Sequence, residues 1–395
     1  MKSLTQSPTA PDFVQNPYAF YECARKAGPF FHWRDYDLAC TGNAAAVSAI
    51  LRDRRFGREV PPELAAPIPA HQAPFYAVEA HSMLELEPPR HTRLRNLVLR
   101  AFTSRRIVAM APEIEALCTE LIAAFPPGEF DLLECFGQPL PVRIIARLLG
   151  VPETMAPELL AWSNAMVGMY QAGRSRAMEE AAARAALEFS AFLRGYVEER
   201  RARPADDLIT QLIAAEAEGE RLSTDELITT CILLLNAGHE ATVHTIGNGV
   251  KLLLERGTPP GMLAPDRVAG TVEEILRFDP ALHLFTRWCY EEVEVMGRTF
   301  RRGERVGLLL AMANRDPALW DRAEEFLPER PARPAHSFGA GLHFCVGAPL
   351  ARLELQIALP ALFAACPDLR LAAAPAYADV YHFHGLERLM LARCG

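Results

Sequence analysis

Cys345 lies in the run HSFGAGLHFCVG, residues 336–347, with glycines at 339, 341 and 347 around it. Glycine permits tight turns and close backbone approach. Leu350, Leu353, Ile357 and Phe363 then follow at helical spacing, so the cysteine falls in a glycine-rich turn at a helix N-terminus. Free N–H groups and the helix dipole there favour a thiolate, the form that ligates metal. The other eight cysteines lack such a setting and read as small buried hydrophobes. Three further spacings carry chemistry. His91 and Arg95, at i and i+4, can point at one anion. Glu274 and Arg277, at i and i+3, can share a charge-assisted hydrogen bond. His239, Glu240 and Thr242 sit inside a run, 229–243, that is apolar on nearly every side. Polar groups in such a run need a reason to be there.

The elements that must position these residues are mostly helices. Apolar periodicity predicts helices over 17–27, 89–101, 105–124, 137–149, 153–170, 175–203, 205–216, 223–256, 266–278 and 347–364. The longest, 223–256, opens with Ser223 and Glu226 as a capping box and stops at Gly257 before Pro259 and Pro260. A helix hydrophobic all round belongs at the centre of a large fold. Residues 29–42 read as a β-hairpin turning at Arg34–Asp37, and 291–311 and 369–393 as short strands, the latter turning near Gly385. Residues 57–89, with seven prolines, read as a long loop of the kind that forms lids or binding walls. Residues 1–12 read as a loose arm. The fold class is therefore mainly α with minor β, in a single domain over 1–395.

Half of the 395 residues are apolar, ample for a large core. The net charge of −8 argues against binding by phosphate neutralisation, so no nucleic-acid partner is expected. Nine cysteines without a C-x-x-C pair argue against a disulfide scaffold or a thiolate zinc site. The N-terminus has no apolar signal core, and no run of 18 uninterrupted apolar residues occurs. A cytoplasmic protein with no membrane partner is the expectation.

Phe338, Gly341, His343, Cys345 and Gly347, followed by Ala351, Arg352 and Glu354, resemble the haem-binding signature of the cytochrome P450 family, F-x-x-G-x-H-x-C-x-G. Glu274 to Arg277 matches the family's E-x-x-R, and 326–330, FLPER, matches its meander. Glu87-Pro88-Pro89 with His91 and Arg95 is similar to D-P-P-x-H-x-x-x-R. Residues 237–242, AGHEAT, resemble the oxygen-binding groove, A-G-x-[D/E]-T-T. The resemblance implies one triangular-prism-like domain with haem b between the long central helix and the cysteine loop and helix. It implies Cys345 as the iron ligand, and His91, Arg95, Ala237, Arg287, Phe338, Gly339, His343 and Gly347 as haem contacts. Glu274, Arg277 and Arg330 would form a buried structural triad. Gly238 would open the helix wall above the iron, and Glu240 would help deliver protons, with Ala241 and Thr242 beside it. The implied pocket takes in Phe75, Met83, Leu84, Leu233, Phe285 and Phe383, with Asn236 and His283 as polar anchors for a small lipophilic substrate. No flavin or iron–sulfur motif occurs, so a ferredoxin and its reductase are the implied electron donors.

One departure matters. Where the family has threonine directly after the acid, this chain has Ala241, and Thr242 follows. One residue is a rotation of about 100° on a helix, so Thr242 cannot present its hydroxyl to the same spot. Three readings stay open: a monooxygenase, a same-fold enzyme of desaturation, coupling or peroxygenation, and a non-catalytic haem-based ligand binder.

Overall fold

The computed structural model describes residues 1–171, 173–217, 219–331, 333–381 and 383–393. Its centre is the helix Thr224–Glu255, 32 residues long. The predicted capping box is present: Ser223 Oγ accepts from Glu226 N at 3.2 Å, and Glu226 Oε2 accepts from Ser223 N at 2.8 Å. Against this helix pack Pro139–Leu149, Ala156–Val167, Arg176–Ala202, Val268–Phe278 and the cysteine helix Ala348–Ala365. The largest apolar cluster lies among them, with Ile232, Leu235, Ile246 and Val250 of the central helix buried in it.

A six-stranded sheet flanks the helices, in the order Lys2–Leu4, Phe31–Trp33, Leu38–Thr41, Arg305–Leu309, Leu284–Cys289, Phe56–Gly57. Within it Leu284–Cys289 runs antiparallel to Arg305–Leu309, pairing Phe285 with Leu308 and Arg287 with Val306. That register sends Phe285 and Arg287 to one face of the sheet and Thr286 to the other, because successive strand side chains alternate, while His283 lies just outside the strand.

The structure corrects several expectations. Residues 1–12 are not a loose arm. Lys2–Leu4 pairs in parallel with Phe31–Trp33, and Trp33 Nε1 donates to Gln6 O at 2.7 Å. Phe13, in the short helix Pro11–Gln15, is buried edge-on to Phe20 and Trp33. The polar composition hid an edge strand whose stability comes from its neighbour rather than its own pattern. The loop 57–89 contains a helix, Ala73–Glu79, that buries Phe75 and Val78. The helix expected over 105–124 is two, Ser104–Ala109 and Ala111–Ala123, divided ahead of Pro112, which has no N–H for the ladder. The helix expected over 205–216 is only Leu208–Ala214, capped by Asp207. The hairpin turns where expected, with Asp37 in the left-handed region at φ 44.

Candidate functional site

Two short turns, His336–Phe338 and Gly341–His343, carry the chain to Cys345. Gly339 and Gly341 have φ of 68 and 69, and a Cβ on Gly341 would stand 2.2 Å from Leu51 O. No side chain fits there. Cys345 N donates to Phe338 O at 3.1 Å, closing the loop. Burial pushes the Cys345 thiol up, while the backbone N–H groups of Gly347 and Ala348 directed at the sulfur oppose this. The N–H groups favour the thiolate as the sequence suggested, and the pair is a cradle for sulfur whose proton a metal would displace. A Cβ on Gly347 would meet only that sulfur, at 3.8 Å, so the surface above the ligand is bare backbone.

A cationic wall stands beside the loop. His91 is 1% exposed, and neither of its ring nitrogens has a partner. Burial and the neighbouring His343 and Arg95 push it down to about 4. Arg287 is also buried; its Nη1 donates to Thr286 O at 2.8 Å, and burial lowers it to about 10. Arg95 Nη2 donates to Phe344 O at 2.7 Å, holding the residue before the cysteine. Buried donors without acceptors are rare in folded proteins. The propionates of a haem lying on the Cys345 loop are the anions that would satisfy His91 and Arg287, so the residues present fit the group. His343 Nε2 meets Glu87 Oε1 at 2.9 Å, and that oxygen also accepts from Arg58 N. Glu87 thus fixes the His343 ring 4.5 Å from His91.

The triad is assembled as its spacing implied. Arg277 meets Glu274 through two bonds of 2.7 Å, and Arg330 Nε lies 3.2 Å from the same carboxylate. Arg277 also donates to the carbonyls of Asn314, Ala323 and Glu325, and Leu327 N to Glu274. These bonds tie the meander under the cysteine loop.

On the central helix, accessibility picks out one face. Leu233, Ala237, Glu240, Ala241 and His244 are accessible while Leu234, Leu235, His239, Thr242 and Val243 are buried. Positions i, i+4, i+7, i+8 and i+11 share a stripe, which places Leu233, Ala237 and Ala241 together as expected. Gly238 is itself partly accessible, and a Cβ there would lie 2.9 Å from Ile145 Cδ1, so the glycine also lets the helix Pro139–Leu149 approach, while the exposed Ala237 marks the stripe. Thr242 Oγ1 donates to Gly238 O at 3.1 Å and is spent on its own helix. Glu240 lies between two imidazoles, with His239 Nε2 at 3.2 Å and His244 Nε2 at 3.3 Å. Burial opposes its ionisation, but these hydrogen bonds outweigh burial and hold the carboxyl far below the usual range.

The pocket expectations divide. Asn236 is buried, its amide 3.8 Å from Met166 Sδ and its Oδ1 without a partner, as a polar anchor requires. Phe383 bridges Leu282, bringing the C-terminal turn to the strand entry. Phe285 and Leu84 are partly accessible, whereas Phe75 and Met83 belong to the buried core. His283 is not an anchor. It is fully buried, its Nδ1 2.8 Å from Tyr21 Oη, in a cluster with Tyr381 and His384. His283 lies just before the strand Leu284–Cys289, where the chain turns its ring toward Tyr21, a contact that the pattern of 280–286 does not reveal. Sequence reasoning also passed over His244, legible as i+4 from Glu240. It did not single out Glu354, whose buried carboxyl burial raises to about 8.

A cysteine cradled by backbone N–H groups, beside the unpartnered His91 and the buried Arg287 and with a central helix whose accessible stripe carries one acid, is the arrangement of a haem-thiolate protein. Comparison with known proteins agrees. A model of the cytochrome P450 family matches residues 268–366. The chain is 35% identical to the cytochrome P450 monooxygenase PikC of Streptomyces venezuelae, over 92% of this chain and 87% of that one. It is 37% identical to the vitamin D(3) 25-hydroxylase of Pseudonocardia autotrophica, over 91% and 89%. Among solved structures, P450BioI in complex with hexadec-9Z-enoic acid ligated acyl carrier protein superposes with a TM-score of 0.90 at 32% identity, covering 97% of this chain and 100% of that one. The chain belongs to the cytochrome P450 family, with its fold, and is an oxidoreductase of the monooxygenase class that uses haem to oxidise small substrates.

Proposed function

We propose that this chain is a single-domain, cytoplasmic haem b monooxygenase that inserts one oxygen atom from dioxygen into a lipophilic small molecule, with electrons from a ferredoxin and its reductase. The observation that carries the reading is the Cys345 cradle: two backbone N–H groups on the sulfur, no side chain above it, and buried His91 and Arg287 awaiting anions. When bound, the haem supplies dioxygen activation, its thiolate favouring O–O cleavage.

The protein's own tasks follow from its residues. Leu233, Ala237 and Ala241 offer an apolar wall, and Leu84, Phe285 and Phe383 extend it, so substrate is held chiefly by apolar burial. The free Oδ1 of Asn236 would accept one hydrogen bond and set orientation. Relatives named for vitamin D(3) and for 6-deoxyerythronolide B support a substrate of that general character. Glu240 holds or passes a proton at its carboxylate. Arg100 and Arg105 are exposed near the cysteine side with Phe344, and offer a donor a cationic face with an apolar contact. Arg93 and Arg106 are engaged with Glu226 and Asp206 and contribute less to it.

A second reading, oxidation driven by peroxide or by coupling without hydroxylation, is favoured by one observation: Ala241 has no hydroxyl where the family places one. The test is product formation from an identified ligand under isotopically labelled dioxygen. Label in the product supports monooxygenation; equal turnover on peroxide alone supports the second reading. A reduced, carbon-monoxide-treated protein without the absorption of a sulfur-bound haem would sink both.

A further inference from the structure

Beyond the accessible stripe, the central helix carries a second line of polar groups that leads away from the site. Glu240, His244 and Asn248 stand at i, i+4 and i+8, on one face. His244 Nε2 meets Glu240 Oε1 at 3.3 Å, while its Nδ1 is buried without a partner. Asn248 is fully buried; its Nδ2 donates to His384 O at 2.9 Å and Asp279 O at 3.3 Å, and its Oδ1 is likewise unpartnered. Two unmet polar atoms one helical turn apart are positions at which a buried water would find partners. Room for the imidazole comes from Gly385: a Cβ there would stand 1.7 Å from His244 Nδ1. Beyond Asn248 the line reaches a surface cleft of about 470 Å³, lined by Lys251, Asp279, Tyr377 and His384. There His384 Nε2 lies 3.6 Å from Asp279 Oδ1, and Tyr377 stacks on His384.

We propose that Glu240, His244 and Asn248, continued past His384 and Asp279 to this cleft, form a water-assisted proton file that replaces the hydroxyl absent at Ala241. The inference rests on the reading of Glu240 as the proton-passing acid. Each passage is balanced: a proton from water enters His244 at Nδ1, one leaves from Nε2 to Glu240, and Glu240 releases one toward the haem. A tautomer change or ring rotation resets the imidazole. His239 stays outside the file, because its Nδ1 is held on Leu235 O at 3.1 Å. His244 is a positioning and relay residue, not one that touches the reacting atoms.

The test uses the haem-loaded protein with a surrogate ferredoxin and reductase, dioxygen, and no organic substrate. The fraction of consumed oxygen released as peroxide rather than water reports proton supply. His244→Gln, which keeps a donor for Glu240 but cannot relay, is expected to raise the peroxide-to-water ratio by about 100-fold, at the modest end for loss of an acid–base group. Glu240→Gln should do the same, and the double variant no more. Independently, nitrogen NMR of the carbon-monoxide form should show the His244 N–H protons exchanging rapidly with solvent despite burial, and Gly385→Ala, which displaces the ring, should slow that exchange. Rapid exchange in the unmodified protein supports the file even if the variants fold poorly. Protection of the His244 protons for minutes, or an unchanged peroxide ratio in His244→Gln while Glu240→Gln raises it, overturns the file and leaves the role of Glu240 standing. An unchanged ratio in both variants removes the role of Glu240 and the file with it.

Discussion

The two sides of the site treat their polar groups in opposite ways. Under the cysteine loop, Glu274, Arg277 and Arg330 are buried with their bonding capacity met by one another and by the carbonyls of Asn314, Ala323 and Glu325. On the haem-facing side, His91, Asn236, His244 and Asn248 are buried with nitrogens or oxygens unmet. A satisfied network holds shape, since breaking it strands charges; an unsatisfied one has capacity left for a ligand, a cofactor or water. The contrast holds for these two clusters and not for every residue, since His336, Trp320 and Glu354 on the cysteine side also have unmet buried atoms.

Substitutions should break along the same line. Glu274→Ala strands two guanidinium groups and should cost about 3–5 kcal/mol, a large share of a typical domain's stability. Denaturant unfolding followed by far-ultraviolet circular dichroism measures it, and a loss under 1 kcal/mol would mean the triad is not structural. Arg287→Leu should leave the fold intact but weaken haem retention by about 10–100-fold, the worth of one hydrogen bond to a charged group. Transfer of haem to apomyoglobin gives the rate; a folding defect instead would place Arg287 with the structural triad. Gly238→Ala should cost about 1–3 kcal/mol through overpacking on Ile145, with little change in ligand-induced spectral shifts. Were those shifts abolished, the glycine would line the cavity as well.

The smallest expected effect is a pH slope. Burial raises Glu354 to about 8, well above a free carboxylate, so below that pH the folded state binds the additional proton. Stability therefore falls as pH rises through that window, and levels off above it. Glu79, raised by burial to about 8 as well, adds to the slope, while the buried His91, His336 and His384, lowered to about 4, oppose it below the ordinary histidine range. Glu354→Gln should flatten the fall of the unfolding midpoint between about pH 7 and 8, where those histidines are neutral in both states. An unchanged slope would show that water reaches the Glu354 carboxyl.

Much of this was legible before any coordinates. Regular spacing shows wherever neighbours along one helix or turn do the work. The capping box of Ser223, the glycine frame of Cys345 and the Glu274–Arg277 pair are all of that kind. The Lys2–Leu4 strand and the Ala73–Glu79 helix were not legible, since an edge strand and a proline-flanked turn of helix draw their stability from distant partners. Among the site residues, local spacing singled out Cys345, His91 and Glu240, and the family resemblance added Arg287 and Gly238; the resemblance also put His283 in the pocket, where the structure instead buries it against Tyr21. Its type fitted the role, but its side chain faces another element.

By itself the sequence determined which residues carry sulfur, charge and helical phase, because those properties are fixed by residue type and by the 3.6-residue repeat. Tertiary structure alone decided which buried polar atoms are left without partners. That depends on what distant segments bring: Ile145 against Gly238, Tyr21 against His283, Gly385 against His244. Satisfaction of a hydrogen bond is a property of a pair, and these pairs are separated by tens to hundreds of residues along the chain.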